Sequence, residues 1–120
     1  MAKQNLHADG QAALQQWQAD KQNCPRPVLA AAVRWTLAVL AQQAPGHAVE
    51  VRVPPWAAVQ ILGGTTHRRG TPPAVIEMRP TTWLELATGE LQWGEAVANG
   101  LVDASGQRTD LQGLLPLAGI

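Results

Sequence analysis

The spacing of apolar residues changes at Ala48, and this change constrains the fold more than any other feature of the chain. Residues 28–43 are nearly all helix formers and carry two apolar rows at helical spacing. Residues 49–53 instead alternate between Val and a charged residue, which is typical of a half-buried strand. Pro45-Gly46 lies before the change and predicts the end of the helix. One chain with both periodicities predicts an α+β fold.

The same criteria divide the rest of the chain into short elements. They predict further helices over 6–21, 80–89 and 93–98, strands over 56–62, 74–78 and 101–105, and a helical turn over 110–115. Short links between consecutive strands predict an antiparallel meander. Thr82 with Glu85, and Thr109 with Gln112, have the spacing of capping boxes. We expect one globular domain, with residues 1–24 as an N-terminal helical segment and 25–120 as the main body.

Length and charge exclude several classes of protein. A chain of 120 residues fits one domain with its own core. The formal net charge is zero, which argues against nucleic acid or an anionic membrane as the main partner. No apolar run approaches the ~20 residues of a membrane span, and the first residues do not form a signal peptide. We therefore expect a cytoplasmic protein without integral membrane association.

The chain has few Cys, Ser and His side chains that can act as nucleophiles or bind a metal ion. The chain has one Cys, one Ser, three His and neither Tyr nor Phe. Ser105 lacks the flanking glycines of a nucleophile elbow, and Cys24 precedes a proline in a break between helices. His7, His47 and His67 do not have the spacing of metal ligands. The sequence predicts no catalytic residue, no metal and no cofactor, and so a protein that is not an enzyme.

The second half resembles the sterol-carrier-protein type-2 superfamily, most closely its small actinobacterial branch. The residues that carry the resemblance are Arg69-Gly70-Thr71-Pro72-Pro73, Thr82-Trp83-Leu84, Leu86-Ala87-Thr88-Gly89, Trp93, Glu95-Ala96-Val97, Gly100, Ala104-Ser105-Gly106, Arg108, Asp110-Leu111 and Leu114-Leu115-Pro116-Leu117. The resemblance covers residues 27–117 in element order and is dense in motifs over 69–117. It implies a mainly antiparallel sheet with helices on one face, around an apolar cavity for a lipid or sterol.

This resemblance makes a non-enzymatic carrier of an apolar small molecule the leading hypothesis: a fatty-acyl chain, a phospholipid or a sterol-like molecule. The candidate lining residues are Trp35, Val39, Trp56, Ile61, Leu86, Trp93 and Val97. The loop over 63–73 contains the densest basic cluster of a neutral chain, His67, Arg68 and Arg69. Two arginines can bind an anion with paired donors, so these three residues are candidates for contact with an anionic headgroup. A solvated hairpin loop is the alternative interpretation.

Two other functions remain open. Domains of this branch resemble the C-terminal part of mycothiol-dependent maleylpyruvate isomerases, whose metal lies in a separate helical domain. An accessory or substrate-binding module would then act with a partner enzyme. The chain can also be an interaction module that keeps the fold but fills the cavity, which Ala-rich helices favour.

Overall fold

The computed structural model describes residues 2–63, 74–106 and 109–120, with side chains from His7 onward. Two helices come first, then three strands, two short helices, a fourth strand and a final 3-10 turn, in the predicted order. Their bounds are α1 Ala2–Ala19, α2 Arg26–Gln43, β1 Val49–Val53, β2 Ala57–Ile61, β3 Ala74–Met78, α3 Pro80–Thr88, α4 Trp93–Ala98, β4 Val102–Ser105 and the turn Gln112–Leu114.

The four strands form one open sheet in the order β2-β1-β3-β4. β1 pairs with β2 and β3 pairs with β4 in antiparallel fashion, so the sheet is mainly antiparallel and the α+β prediction is confirmed. The predicted meander is wrong, because β1 and β3 are parallel neighbours. Alternation along a strand indicates which side chains face the core but not which strand lies alongside. The chain between β1 and β3, residues 54–73, is long enough for the crossover that a parallel pair requires.

The two faces of the sheet differ in polarity. Val49, Val51 and Val53 of β1 are fully buried, while Glu50 and Arg52 point to the other face and form an ion pair there. α2 packs against β2, α3 and α1, so the helices cover the apolar face. The core lies between this helical layer and the sheet. No described helix is long and apolar enough to cross a bilayer.

The helix ends follow the proline and glycine signals more closely than the capping-box signals. α3 begins at Pro80 and ends at Gly89, whose φ of 83° is left-handed, as predicted. The N-cap of α3 is Arg79 and Thr82 is buried, so the capping box predicted at Thr82 is wrong. The one predicted at Thr109 is also wrong, since the 3-10 turn has Leu111 at its N-cap. A capping box is found instead at α4, between Gln92 and Glu95.

Candidate ligand site

Six of the seven predicted lining residues belong to, or pack against, one continuous apolar layer, the hydrophobic core. Four are buried and two are half-buried against the same cluster; these are Trp35, Ile61, Leu86 and Trp93, then Val39 and Trp56. Val97 is 51% exposed and faces solvent instead. The ring of Trp56 also lies beside the Arg26 guanidinium, 5.4 Å from its centroid. The structure therefore gathers six of the candidates in one layer and places Val97 outside it.

Trp35 of α2 contacts α1 through its side chain. Its indole N–H donates to His7 Nδ1 over 3.1 Å, and the two rings meet edge to face with centroids 5.2 Å apart. The backbone of α1 comes close at Gly10, where an added Cβ would lie 2.2 Å from Trp35 Cγ. A side chain at position 10 would force the two helices apart. Gly10 is therefore needed for the close approach of α1 to α2.

Thr36, the next residue of α2, connects this helix to α3. Trp83 donates its indole N–H to Thr36 Oγ1 over 2.8 Å. The Thr36 hydroxyl in turn donates to the carbonyl oxygen of Ala32, one helical turn earlier, over 2.7 Å. Both polar side chains are fully buried and both have partners. This pair fixes the position of α3 on α2 inside an otherwise apolar layer.

Trp17 lies near the end of α1 and is equally buried, at 1% exposure. Its Nε1 has no hydrogen-bond partner among the described residues. Lys21 follows one turn later, and its ammonium group lies 4.8 Å from the centroid of the Trp17 ring. The same ammonium group pairs with the carboxylate of Glu90, just after α3. The C-terminal end of α1 is thereby held where α3 ends.

The carboxyl group of Glu90 receives two contacts. Lys21 bonds one oxygen, and the Thr88 hydroxyl donates to the other over 3.0 Å. The hydrogen bond from Lys21 lowers the pKa of Glu90, against a smaller opposite effect of burial. Glu90 is thus held in its charged form by the end of α1.

An open cleft of about 340 Å³ borders the apolar layer only at Met78. It is found at the carboxyl ends of the parallel pair, next to Pro54 after β1 and Arg79 after β3. Its walls are formed by Pro54, Glu77, Met78, Arg79, Gly100, Leu101 and Asp103. Glu77 and Asp103 are directly paired across β3 and β4. No pattern in the sequence indicates a cleft here, because the cleft depends on the parallel pairing of β1 with β3, which was not predicted. None of the seven predicted lining residues lines it.

The other candidates can be placed only in part. His67, Arg68 and Arg69 lie outside the described residues. His47 bonds Gln60 through its Nδ1 over 2.8 Å, which joins the loop before β1 to β2. Cys24 is half-buried in the break between α1 and α2. Within the described ranges, His, Cys and carboxylate groups do not gather in threes that could hold a metal ion.

These features define a small α+β domain whose helices cover one face of an open sheet. Residues 25–117 match a protein family described as bacterial SCP ortholog, where SCP stands for sterol carrier protein. The match spans most of the chain, and the protein belongs to this family. The resemblance to a bacterial sterol-carrier-protein family is thus confirmed. No curated protein matches the chain significantly.

Proposed function

We propose that this protein is a non-enzymatic carrier that binds an apolar small molecule of lipid or sterol type. The observation that carries the proposal is the match of residues 25–117 to a bacterial sterol-carrier family. The continuous apolar layer that contains six of the candidate lining residues supports it. Binding would remove apolar ligand surface from water, which contributes about 25 cal/mol per Å² before the costs of association.

The binding surface is proposed at Trp35, Val39, Trp56, Ile61, Leu86 and Trp93. With neither Phe nor Tyr in the chain, an aromatic wall of the site has to be Trp. Ala32 and Ala87 are buried in the same cluster, and small side chains leave room when neighbouring helices shift. Val97 is proposed in a lesser role, since its exposed side chain can contact only a part of the ligand that reaches the surface.

Titration of Trp fluorescence tests this proposal. Oleate, a phosphatidylcholine with short chains and cholesterol are added below the concentrations at which each self-associates. A saturable change in emission supports the carrier function, because a ligand alters the polarity around the indole rings. Native mass spectrometry before and after organic extraction shows whether a lipid is already bound. A flat response to all three classes, from protein shown to be free of lipid, contradicts the proposal.

The contact with an anionic headgroup is proposed at His67, Arg68 and Arg69, on their sequence alone. Changing both Arg68 and Arg69 to Gln should weaken oleate binding, because the paired donors for the carboxylate are lost. The dependence of binding on salt should also decrease, because partly exposed charges are screened over about 8–10 Å at physiological ionic strength. Arg34→Gln with Arg52→Gln is the matched control, since it removes the same charge from two exposed side chains elsewhere. Equal affinity in the two double variants would remove the loop from the site.

A second function, an interaction module with a filled core, is favoured by one observation. Trp35, Ile61, Leu86 and Trp93 are almost completely buried by the chain itself. If these side chains pack only against one another, no ligand is needed. The flat titration described above is the result that this second function predicts. A requirement for a partner protein together with a thiol would instead support the accessory-module hypothesis.

A further inference from the structure

α1 differs from the rest of the molecule in how it is attached. It covers residues 2–19 and lies outside the span that matches the family, residues 25–117. It packs chiefly against α2, while α2 also contacts the sheet and α3. Trp35 of α2 faces α1, and Lys21, just after α1, pairs with Glu90, just after α3. α1 therefore covers the face of α2 that carries Trp35, and its C-terminal end is held near the end of α3.

The polar contacts that hold α1 lie at its two ends and near the surface. His7, an exposed residue, accepts the hydrogen bond from Trp35. Lys21 pairs with Glu90, and both side chains are more than a third exposed to solvent. Contacts of this kind stabilise a structure only slightly, because water can replace each of them. The apolar contacts of Ala13, Leu14 and Trp17 therefore provide most of the attachment.

Trp17 is also a costly residue to bury at this position. Its N–H has no partner among the described residues, whereas the N–H groups of Trp35 and Trp83 are both hydrogen-bonded. A buried donor without an acceptor disfavours the state in which it is buried. When α1 moves away, this N–H regains a hydrogen bond to water. That gain offsets part of the free energy that is lost with the apolar contacts. The closed position of α1 is thus less favourable than its apolar contacts alone would make it.

We propose that α1 is a cover that opens as a unit and exposes the face of α2 that carries Trp35 to the acyl chain of a ligand. This inference rests on the proposed carrier function for the identity of the ligand. The opening itself does not depend on that function. Ligand affinity is then reduced by the fraction of molecules in which the cover is open, so a change that weakens the docking of α1 raises the affinity.

Gly10→Ala tests the cover directly. The new Cβ would meet Trp35 Cγ at 2.2 Å, which prevents close docking, while Ala favours the helical conformation of α1 itself. Gly94→Ala is the matched control, because Gly94 also lies in a helix and its added Cβ meets nothing within 4 Å. We expect Gly10→Ala to bind oleate about ten-fold more tightly than the parent, by the population argument, and Gly94→Ala to bind it equally. Equal or weaker binding by Gly10→Ala would overturn the inference.

Hydrogen exchange measured by mass spectrometry tests the opening without a ligand. Amides of α1 should exchange faster than those of α2 in the parent, and Gly10→Ala should accelerate exchange in α1 alone. Exchange of α1 at the slow rate of α2, through global unfolding only, would contradict the cover. Lys21→Gln provides a milder variant with a smaller acceleration in α1. Independent exchange of α1 in a protein that binds no apolar probe supports the cover and contradicts the carrier function.

Discussion

Trp83 donates its indole N–H to the hydroxyl of Thr36, 47 residues earlier, in a fully buried hydrogen bond of 2.8 Å. Trp17 is buried to the same degree, but its indole N–H has no partner among the described residues. The two residues therefore form a natural comparison. They separate the contribution of apolar burial from that of the indole N–H.

Changing either tryptophan to Phe removes a similar apolar area and the indole N–H. The two changes differ in whether a hydrogen bond is lost with that N–H. Trp83→Phe loses a hydrogen bond, whereas Trp17→Phe removes a donor that has no acceptor in the described part of the chain. We expect Trp83→Phe to reduce the free energy of unfolding by about 2 kcal/mol more than Trp17→Phe does. Urea denaturation of both variants measures the difference. Equal losses would show that the N–H of Trp17 has a partner in solution.

Gly46 lies in the connection between α2 and β1, with φ of 148°, and an added Cβ would lie 2.0 Å from the carbonyl carbon of Leu62. Gly46→Ala should therefore destabilise the protein by about 1–3 kcal/mol, the cost of a strained backbone that cannot relax. Gly113→Ala is the control, because its Cβ meets nothing within 4 Å and its φ is not left-handed. Thermal denaturation compares the two. A neutral Gly46→Ala would mean that this connection rearranges readily.

The pKa of Glu90 is lowered, chiefly by its hydrogen bond from Lys21. A carboxyl group whose pKa is lower in the folded state stabilises the protein above its unfolded pKa. This stabilisation is lost as the pH falls through the folded value. We expect Glu90→Gln to be slightly less stable than the parent at neutral pH and equal to it at about pH 2. A difference that persists in acid would indicate a loss of packing and not of charge.

The pKa of the Cys24 thiol is raised, first by burial and second by the nearby carboxylate of Asp20. Since the thiolate is the reactive form, iodoacetamide should modify Cys24 more slowly at about pH 8 than it modifies a free thiol. Asp20→Asn should accelerate the reaction, because it removes the negative charge. An unfolded sample provides the reference rate. A rate in the folded protein equal to this reference would contradict the shift.

The helices and strands could be predicted because each has a clear signal along the chain. The two apolar rows over 28–43 and the alternation over 49–53 depend on which residues face the core, and burial confirms that division. Pro80 and Gly89 mark the ends of α3 because their backbone preferences are local. The pairing of β1 with β3 had no such signal, since either edge of β1 can accept a strand of the same pattern.

The candidate site was predictable only at the level of apolar residues. Trp35 and Trp93 could be expected in the core from their spacing, and both are buried. The contact of Gly10 with Trp35 could not be predicted, because a glycine within a helical pattern does not indicate which residue of another helix lies against it. The role proposed for Trp17 depends on its indole N–H, which has no partner within the described ranges. This is a property of the three-dimensional packing and not of the sequence.

β1 lies between two strands, one close to it in the sequence and one distant. We expect this difference to set the order in which the sheet folds. β2 follows β1 after residues 54–56, whereas β3 reaches the other edge of β1 only after residues 54–73. Closing the shorter loop costs less chain entropy, so we expect the β1–β2 hairpin to form first and to offer its free edge to β3. β4 pairs only with β3 among the described strands, and we expect it to join last. Changes that weaken the hairpin should therefore slow folding, and changes in β4 should mainly accelerate unfolding.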